Sequence, residues 1–195
     1  MKLFNKYDTK IEVQDPGLKN YINLNPLIVV KTSGRNVKVR FWKSKNNIVE
    51  RLMNKLMVPG HKGKKHKFTS GLCSGKYQTI YKLVEDAFDI ISEKTKKNPI
   101  EILIKSLENA APYELTVSQQ IGGIVARKPA LCSPKKRLDL ALRKLVQGSY
   151  AKTFNKKKKM SVILAEELIA ASQNKDESYA IAERKRNEKE AEGAR

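Results

Sequence analysis

A chain of 195 residues with 40 Lys and Arg against 20 Asp and Glu carries a net charge of +20. One domain with a tail fits this length, and the charge points to a polyanion, nucleic acid before an acidic membrane surface. Two cysteines exclude a disulfide framework and fit a reducing compartment, and no apolar run is long enough for a membrane span or a signal-peptide core.

The positive charge is concentrated early: residues 1–68 hold 16 Lys and Arg against 4 Asp and Glu. Residues 1–45 show no helical period. Asp15-Pro16-Gly17, Asn25-Pro26 and Ser33-Gly34 break them into short extended pieces. They read as a basic extended arm that orders on its polyanion. In an extended chain Val37, Val39 and Phe41 face one way, and Lys38, Arg40 and Trp42 the other. Arg35, Lys38, Arg40, Lys43 and Lys45 then line a phosphate track, with Trp42 available to stack on a base. The alternative is an ordinary strand whose Val37, Val39 and Phe41 are core contacts.

Residues 47–57 form the first helix. Ile48, Val49, Leu52, Met53 and Leu56 make its stripe, with Glu50, Arg51 and Lys55 outside, and Val58-Pro59-Gly60 stops it. The loop that follows carries Lys62, Lys64, Lys65 and Lys67, suited to a flexible phosphate clamp or simply solvated. The stretch from Gly71 to Tyr77 only imitates a nucleotide-binding loop. It has three residues between its glycines instead of four, and Tyr77 stands where a Ser or Thr hydroxyl must reach Mg²⁺. His61, His66, Cys73 and Cys132 lack the tight pairs of a zinc site, so no metal is expected.

Ile80, Leu83, Val84, Ala87, Phe88 and Ile91 mark the second helix. Glu85, Asp89 and Glu93 keep company with lysines and read as a solvated face, not an acid–base pair. Asn98 caps the third helix, with Pro99 in its first turn and Glu101 at the capping-box position. Ile100, Leu103, Ile104, Leu107 and Ala111 are its stripe, and Pro112 ends it.

A β-hairpin follows near residues 114–132. Leu115, Val117 and Ile121 fall on one side of it, and Gly122-Gly123 supplies the positive φ angles of a tight turn. The return run carries Arg127 and Lys128, and Pro129 keeps it at an edge. Ser133-Pro134 opens the fourth helix. Its first turn holds Lys135, Lys136 and Arg137 at the positive end of the helix dipole, unfavourable unless an anion sits there. Leu138, Ala141, Leu142 and Leu145 are buried, Arg143 and Lys144 extend the positive surface, and the helix ends near Gly148 or Tyr150. Lys156 and Lys157 belong to a basic linker. A fifth helix covers 160–172, and a tail of mixed charge from Ser178 is a frayed or docked helix.

The fold class is therefore mainly α: a bundle of about six helices with a protruding β-hairpin and a basic extended N-terminal arm. The arm is residues 1–45 and the helical domain residues 46–195. No catalytic constellation and no cofactor site emerges, and Cys132 reads as a packed, inert thiol.

The order of these pieces resembles the seventh-protein family of the small ribosomal subunit, in its archaeal or eukaryotic-type form. The matching stretches are Asp15-Pro-Gly-Leu-Lys-Asn-Tyr-Ile-Asn-Leu24, Ile48-Val-Glu-Arg-Leu-Met-Asn-Lys-Leu-Met57, Asn98-Pro99, Leu107-Glu-Asn-Ala-Ala-Pro112, Gly122-Gly123, Ser133-Pro-Lys-Lys-Arg-Leu-Asp-Leu-Ala-Leu-Arg143 and Leu164-Ala-Glu-Glu-Leu168. The resemblance implies a non-enzymatic protein of the cytoplasmic small subunit. Such a protein binds small-subunit rRNA, helps fold the head domain, and lies beside the exit-site tRNA and mRNA path among neighbouring subunit proteins. The hairpin at Gly122-Gly123 would reach towards that path. Family hairpins usually present arginine before the Gly-Gly turn, whereas this chain has Gln119-Gln120, with Arg127 and Lys128 on the other strand. The alternative is a free-standing nucleic-acid-binding regulator that uses the hairpin as a β-ribbon reader of DNA.

Overall fold

The computed structural model describes residues 2–34, 38–62, 65–66, 75–153 and 156–195, with backbone alone at 61, 62, 65, 66 and 121. Among the described residues run seven helices: α1 (Pro16–Lys19), α2 (Ile48–Leu56), α3 (Tyr77–Thr95), α4 (Pro99–Ala110), α5 (Pro134–Thr153), α6 (Met160–Ser172) and α7 (Tyr179–Glu192). Two antiparallel pairs join them: β1 (His61–Lys62) with β2 (Lys65–His66), and β3 (Glu114–Ile121) with β4 (Ile124–Leu131). No helix among the described residues is long and apolar enough to cross a membrane.

Helix α6 is the centre, packed by α3, α4 and α5. Its Met160, Ile163, Leu164, Ala165, Leu168 and Ala171 are all buried, because a helix surrounded by neighbours must be apolar nearly all round. The caps fall where the residue types place them. Asn47 accepts from the Val49 N–H at 2.9 Å, and Asn98 accepts from the Ile100 N–H at 3.1 Å. Lys96 closes α3 in the left-handed region, φ 55°.

Residues 2–30 lie along this bundle. Leu3, Leu18 and Val30 are fully buried in the same core as the helices. Phe4 and Tyr7 meet Phe88 edge-on, at 6.0 and 6.2 Å between centroids. Lys6 bridges Asp89 at 2.9 Å and Glu85 at 3.3 Å, and the Tyr7 hydroxyl donates to Asp89. These anchors are irregularly spaced, which is why periodicity does not reveal them.

Helix α2 departs from expectation in one respect: Glu50 and Arg51 are buried, not outside. The helix is covered on two sides, by the arm and by α5. Glu50 accepts from the Thr32 N–H and hydroxyl at 2.8 and 2.6 Å. Arg51 donates to the Tyr21 carbonyl at 3.1 Å and to Asp139 at 3.3 Å. Helix α5 runs to Thr153, past the expected end near Gly148 or Tyr150. That glycine is a packing device: a Cβ there would lie 2.6 Å from the Tyr179 Cβ, so its absence lets α7 dock. The docked start of α7 is tied down by the buried Glu167 carboxylate, which accepts from Ser178 at 2.7 Å, the Ala180 N–H at 3.3 Å and Lys152 at 2.5 Å.

The β3–β4 hairpin pairs Glu114 with Leu131 through to Ile121 with Ile124. Gly122 and Gly123 turn it at φ 53° and 89°, both positive as a type I′ turn requires. Its base rests on α7, and beyond the end of that helix Arg195 meets Glu114 at 2.7 Å. Further out, no second layer covers the ribbon among the described residues. Val117, expected on one apolar side with Leu115 and Ile121, is exposed, as are Ile124 and Val125.

Candidate nucleic-acid interface

The cations singled out in the sequence divide by their partners. Three are engaged with carboxylates of the chain itself. Arg137 is buried, donates to Asp15 at 2.8 Å and lies 4.1 Å over the Tyr113 ring. Lys43 meets Asp139 at 2.9 Å, and Lys144 meets Glu183 at 2.6 Å. Lys38, Arg40, Lys45, Arg127, Lys128, Lys136, Arg143, Lys156 and Lys157 are exposed, and Lys135 is half-buried. None of these ten has a carboxylate partner among the described residues.

Local backbone geometry brings part of this set together. Residues 38–45 do not form the alternating strand that the sequence suggests. Phe41 adopts a left-handed conformation, φ 69°, and Trp42–Lys45 coil into a 3₁₀ turn. Val39 and Phe41, which the ordinary-strand alternative would use as core contacts, are therefore exposed along with Trp42. The turn is seated on the first turn of α5. The Lys135 ammonium sits 4.3 Å over the Phe41 ring and the Arg40 guanidinium 4.9 Å from it, while Lys45 sits 5.0 Å over Trp42. The Lys43–Asp139 bond spans 96 positions of sequence and holds the two segments together.

The electrostatics of this face show a surplus of positive charge. Burial lowers the Lys55 pKa, nearby Lys43 and Arg143 lower it further, and Asp139 only partly offsets them. Burial also lowers the Arg51 pKa against the pull of Asp139. Burial would raise the Asp139 pKa, but Lys43 and Arg51 together hold it below the usual carboxylate range. One carboxylate thus serves a crowd of cations. Such a surface favours an anion whose oxygens are distributed along a chain, as phosphates are.

Other predicted residues lie elsewhere. Arg127 and Lys128 sit on β4, opposite Ser118 and Val117, so they belong to the projecting ribbon. Lys156 and Lys157 follow the far end of α5, a 20-residue helix and therefore about 30 Å from its start. The contacts expected of Arg35, Lys64 and Lys67, and the side chains of Lys62 and Lys65, lie outside the described residues, as do the side chains of His61 and His66 and the whole of Cys73, considered above as metal ligands. Backbone pairing joins His61 with His66 and Lys62 with Lys65 in a short antiparallel pair within the basic loop. No cluster of three metal-ligating side chains occurs among the described residues. Burial raises the Cys132 pKa, although Lys136 and Arg137 pull it the other way, so the thiol is poorly suited to act as a thiolate.

Two residues of this face escape a reading of the sequence. Alternation places Phe41 inward, and only its left-handed φ turns it out. Helical periodicity places Lys55 on an outer face, and only the approach of α5 sets it beside Lys43 and Arg143.

A helical body, a two-stranded ribbon projecting from it, and a face where aromatic rings sit beneath uncompensated cations define a nucleic-acid-binding protein. The comparisons with known proteins give the family. The model of ribosomal protein S7p/S5e matches residues 28–195, and the chain belongs to that family. A protein of Nanoarchaeum equitans named small ribosomal subunit protein uS7 is 44% identical, over 100% of this chain and 99% of its own length. Proteins of the same name from Methanosphaera stadtmanae and Archaeoglobus fulgidus are 40% and 39% identical, over 99% of this chain and 98% and 94% of theirs.

Proposed function

We propose that this chain is a structural constituent of the cytoplasmic small ribosomal subunit and binds its rRNA. The observation that carries the reading is the joined face of residues 40–45 with the start of α5, where Arg40, Lys45 and Lys135 surround Phe41 and Trp42. Family membership and full-length similarity to archaeal proteins of that name support it. Phosphates would occupy the cations that lack carboxylates, and the buried core would supply a rigid body on which the RNA folds. In this reading the chain organises the head domain beside neighbouring subunit proteins and performs no bond-making chemistry. The hairpin extends towards the exit-site tRNA and mRNA path, with Arg127 and Lys128 supplying the charge that Gln119 and Gln120 do not. The domain reading is a basic arm of residues 1–45 that completes its order on RNA and a helical rRNA-binding domain of residues 46–195; the burial of Leu3, Leu18 and Val30 assigns that ordering chiefly to residues 38–45 of the arm.

Sedimentation tests it. The full chain added to subunits depleted of it should co-migrate with the small subunit and bind small-subunit rRNA transcripts with a steep salt dependence. Recovery at discrete DNA sites, with no retention on subunits, would overturn it.

A further inference from the structure

Between residues 27–33 and the 42–46 turn lies a groove of about 440 Å³, within the roughly 300–1,000 Å³ range of small-molecule sites. Leu27, Val29 and Trp42 form its apolar walls, and all three are exposed to solvent. Lys31 and Lys45 stand in the same groove, Lys45 directly over the indole at 5.0 Å. Asn46, nearly buried, brings an amide to the lining. The backbone is anchored: the Asn23 amide donates to the Lys45 carbonyl, and the Asn47 amide donates to the Asn25 carbonyl at 2.9 Å.

We infer that this groove receives one unstacked nucleobase of the bound RNA, with Trp42 as its stacking surface. The inference rests on the rRNA-binding reading and deepens it by naming what the apolar part of the face is for. Three observations converge. An apolar slot flanked by lysines suits a flat uncharged base joined to a phosphate, whereas the core of a protein–protein interface is depleted of lysine. The neighbouring Phe41 holds a left-handed backbone that a bulky side chain adopts only at a cost, and such strain persists where structure around it enforces a functional display. Lys45, which has no carboxylate partner among the described residues, stands at the indole itself, so a phosphate bound there lies beside the stacking surface.

Trp42 is the sole tryptophan of the chain, which makes the test direct. The full-length protein is titrated with small-subunit rRNA transcript, and separately with heparin, a polyanion without bases, while indole emission is followed. We expect quenching by the transcript and none by heparin. Trp42→Ala should weaken transcript binding roughly 5- to 100-fold at every salt concentration with an unchanged salt slope, as removal of one stacked base does. Val29→Ser should weaken it less, in the same way. Wild-type affinity in Trp42→Ala overturns the inference, as does equal quenching by heparin. Emission that ignores RNA and shifts only when other subunit proteins are added overturns it too. These failures leave rRNA binding intact; no binding of either protein to the transcript would sink the broader reading.

Discussion

Arg137 reaches across 122 positions of sequence to donate from Nη2 to Oδ2 of Asp15 at 2.8 Å, and both side chains are largely buried. Three cations in the first turn of a helix call for an anion, and for one of them the chain provides it. Asp15 also accepts from the Gly17 N–H at 2.8 Å and so caps α1. A single carboxylate therefore starts one helix and clamps the amino-terminal segment to another. Arg137 is a fastener, and among the described residues Lys135 and Lys136 are left without a carboxylate in the first turn of α5.

Breaking that clamp should be costly. Asp15→Ala leaves a buried guanidinium without its carboxylate, and we expect a loss of about 3 kcal/mol in urea unfolding. Amide exchange of residues 16–22 should accelerate before that of α6. An Asp15→Ala/Arg137→Met double variant should recover much of the loss, since no unpaired charge remains. Equal losses in the single and double variants would show the pair to be unimportant.

The divided roles of the triplet separate in salt titrations. Lys135→Gln with Lys136→Gln should flatten the log–log salt dependence of rRNA affinity by roughly 0.7 for each phosphate that is no longer neutralised, with unfolding unchanged. Arg137→Gln should instead lower stability and leave the slope near its original value. A slope untouched by the lysine pair would count against their binding to phosphate.

Asp139 joins stability to pH. Lys43 and Arg51 overcome burial and hold its folded-state pKa below that of the unfolded chain. Its contribution is therefore fully present above the unfolded value of about 3.9 and is lost as pH falls through the lower folded value. Asp139→Asn should cost about 3 kcal/mol at neutral pH, near the low end for a broken buried pair because Asp139 is a quarter exposed. The variant should also lose part of the acid-induced fall in stability. A parallel pH profile for both proteins would refute this.

Gly148→Ala sets helix propensity against packing. Alanine favours an isolated helix by about 1 kcal/mol. Here its Cβ would meet the Tyr179 Cβ at 2.6 Å, a stem atom that no side-chain rotation moves. Overpacking of this kind costs about 1–3 kcal/mol, so we expect net destabilisation and loosened protection in α7. A more stable variant would mean that α7 yields freely.

Amide exchange on the free protein should distinguish two parts of the amino-terminal region. Residues 18–22, buried at Leu18 and Ile22, should be protected. Residues 38–45, exposed at Val39, Phe41 and Trp42, should exchange quickly and slow on addition of rRNA transcript. Strong protection of residues 38–45 without RNA would remove the case for ordering on binding.

By itself, the sequence determined the helices with a three-to-four-residue apolar period, the Asn47 and Asn98 caps, the Gly122-Gly123 turn and the positive balance of the surface. Each depends on neighbours along the chain, so each is written locally. Tertiary structure alone decided which charges remain for a partner. Arg51 and Arg137 read as surface cations until α5 and the amino-terminal segment bring Asp139 and Asp15 to them. A left-handed turn, not an alternating strand, sets Phe41 on the surface, and Gly148, near one of two expected helix ends, lies inside α5 where α7 packs against it. The physical reason is common to Arg51, Arg137 and Gly148: burial and charge pairing are set by groups distant in sequence, and no local pattern records which distant group will arrive.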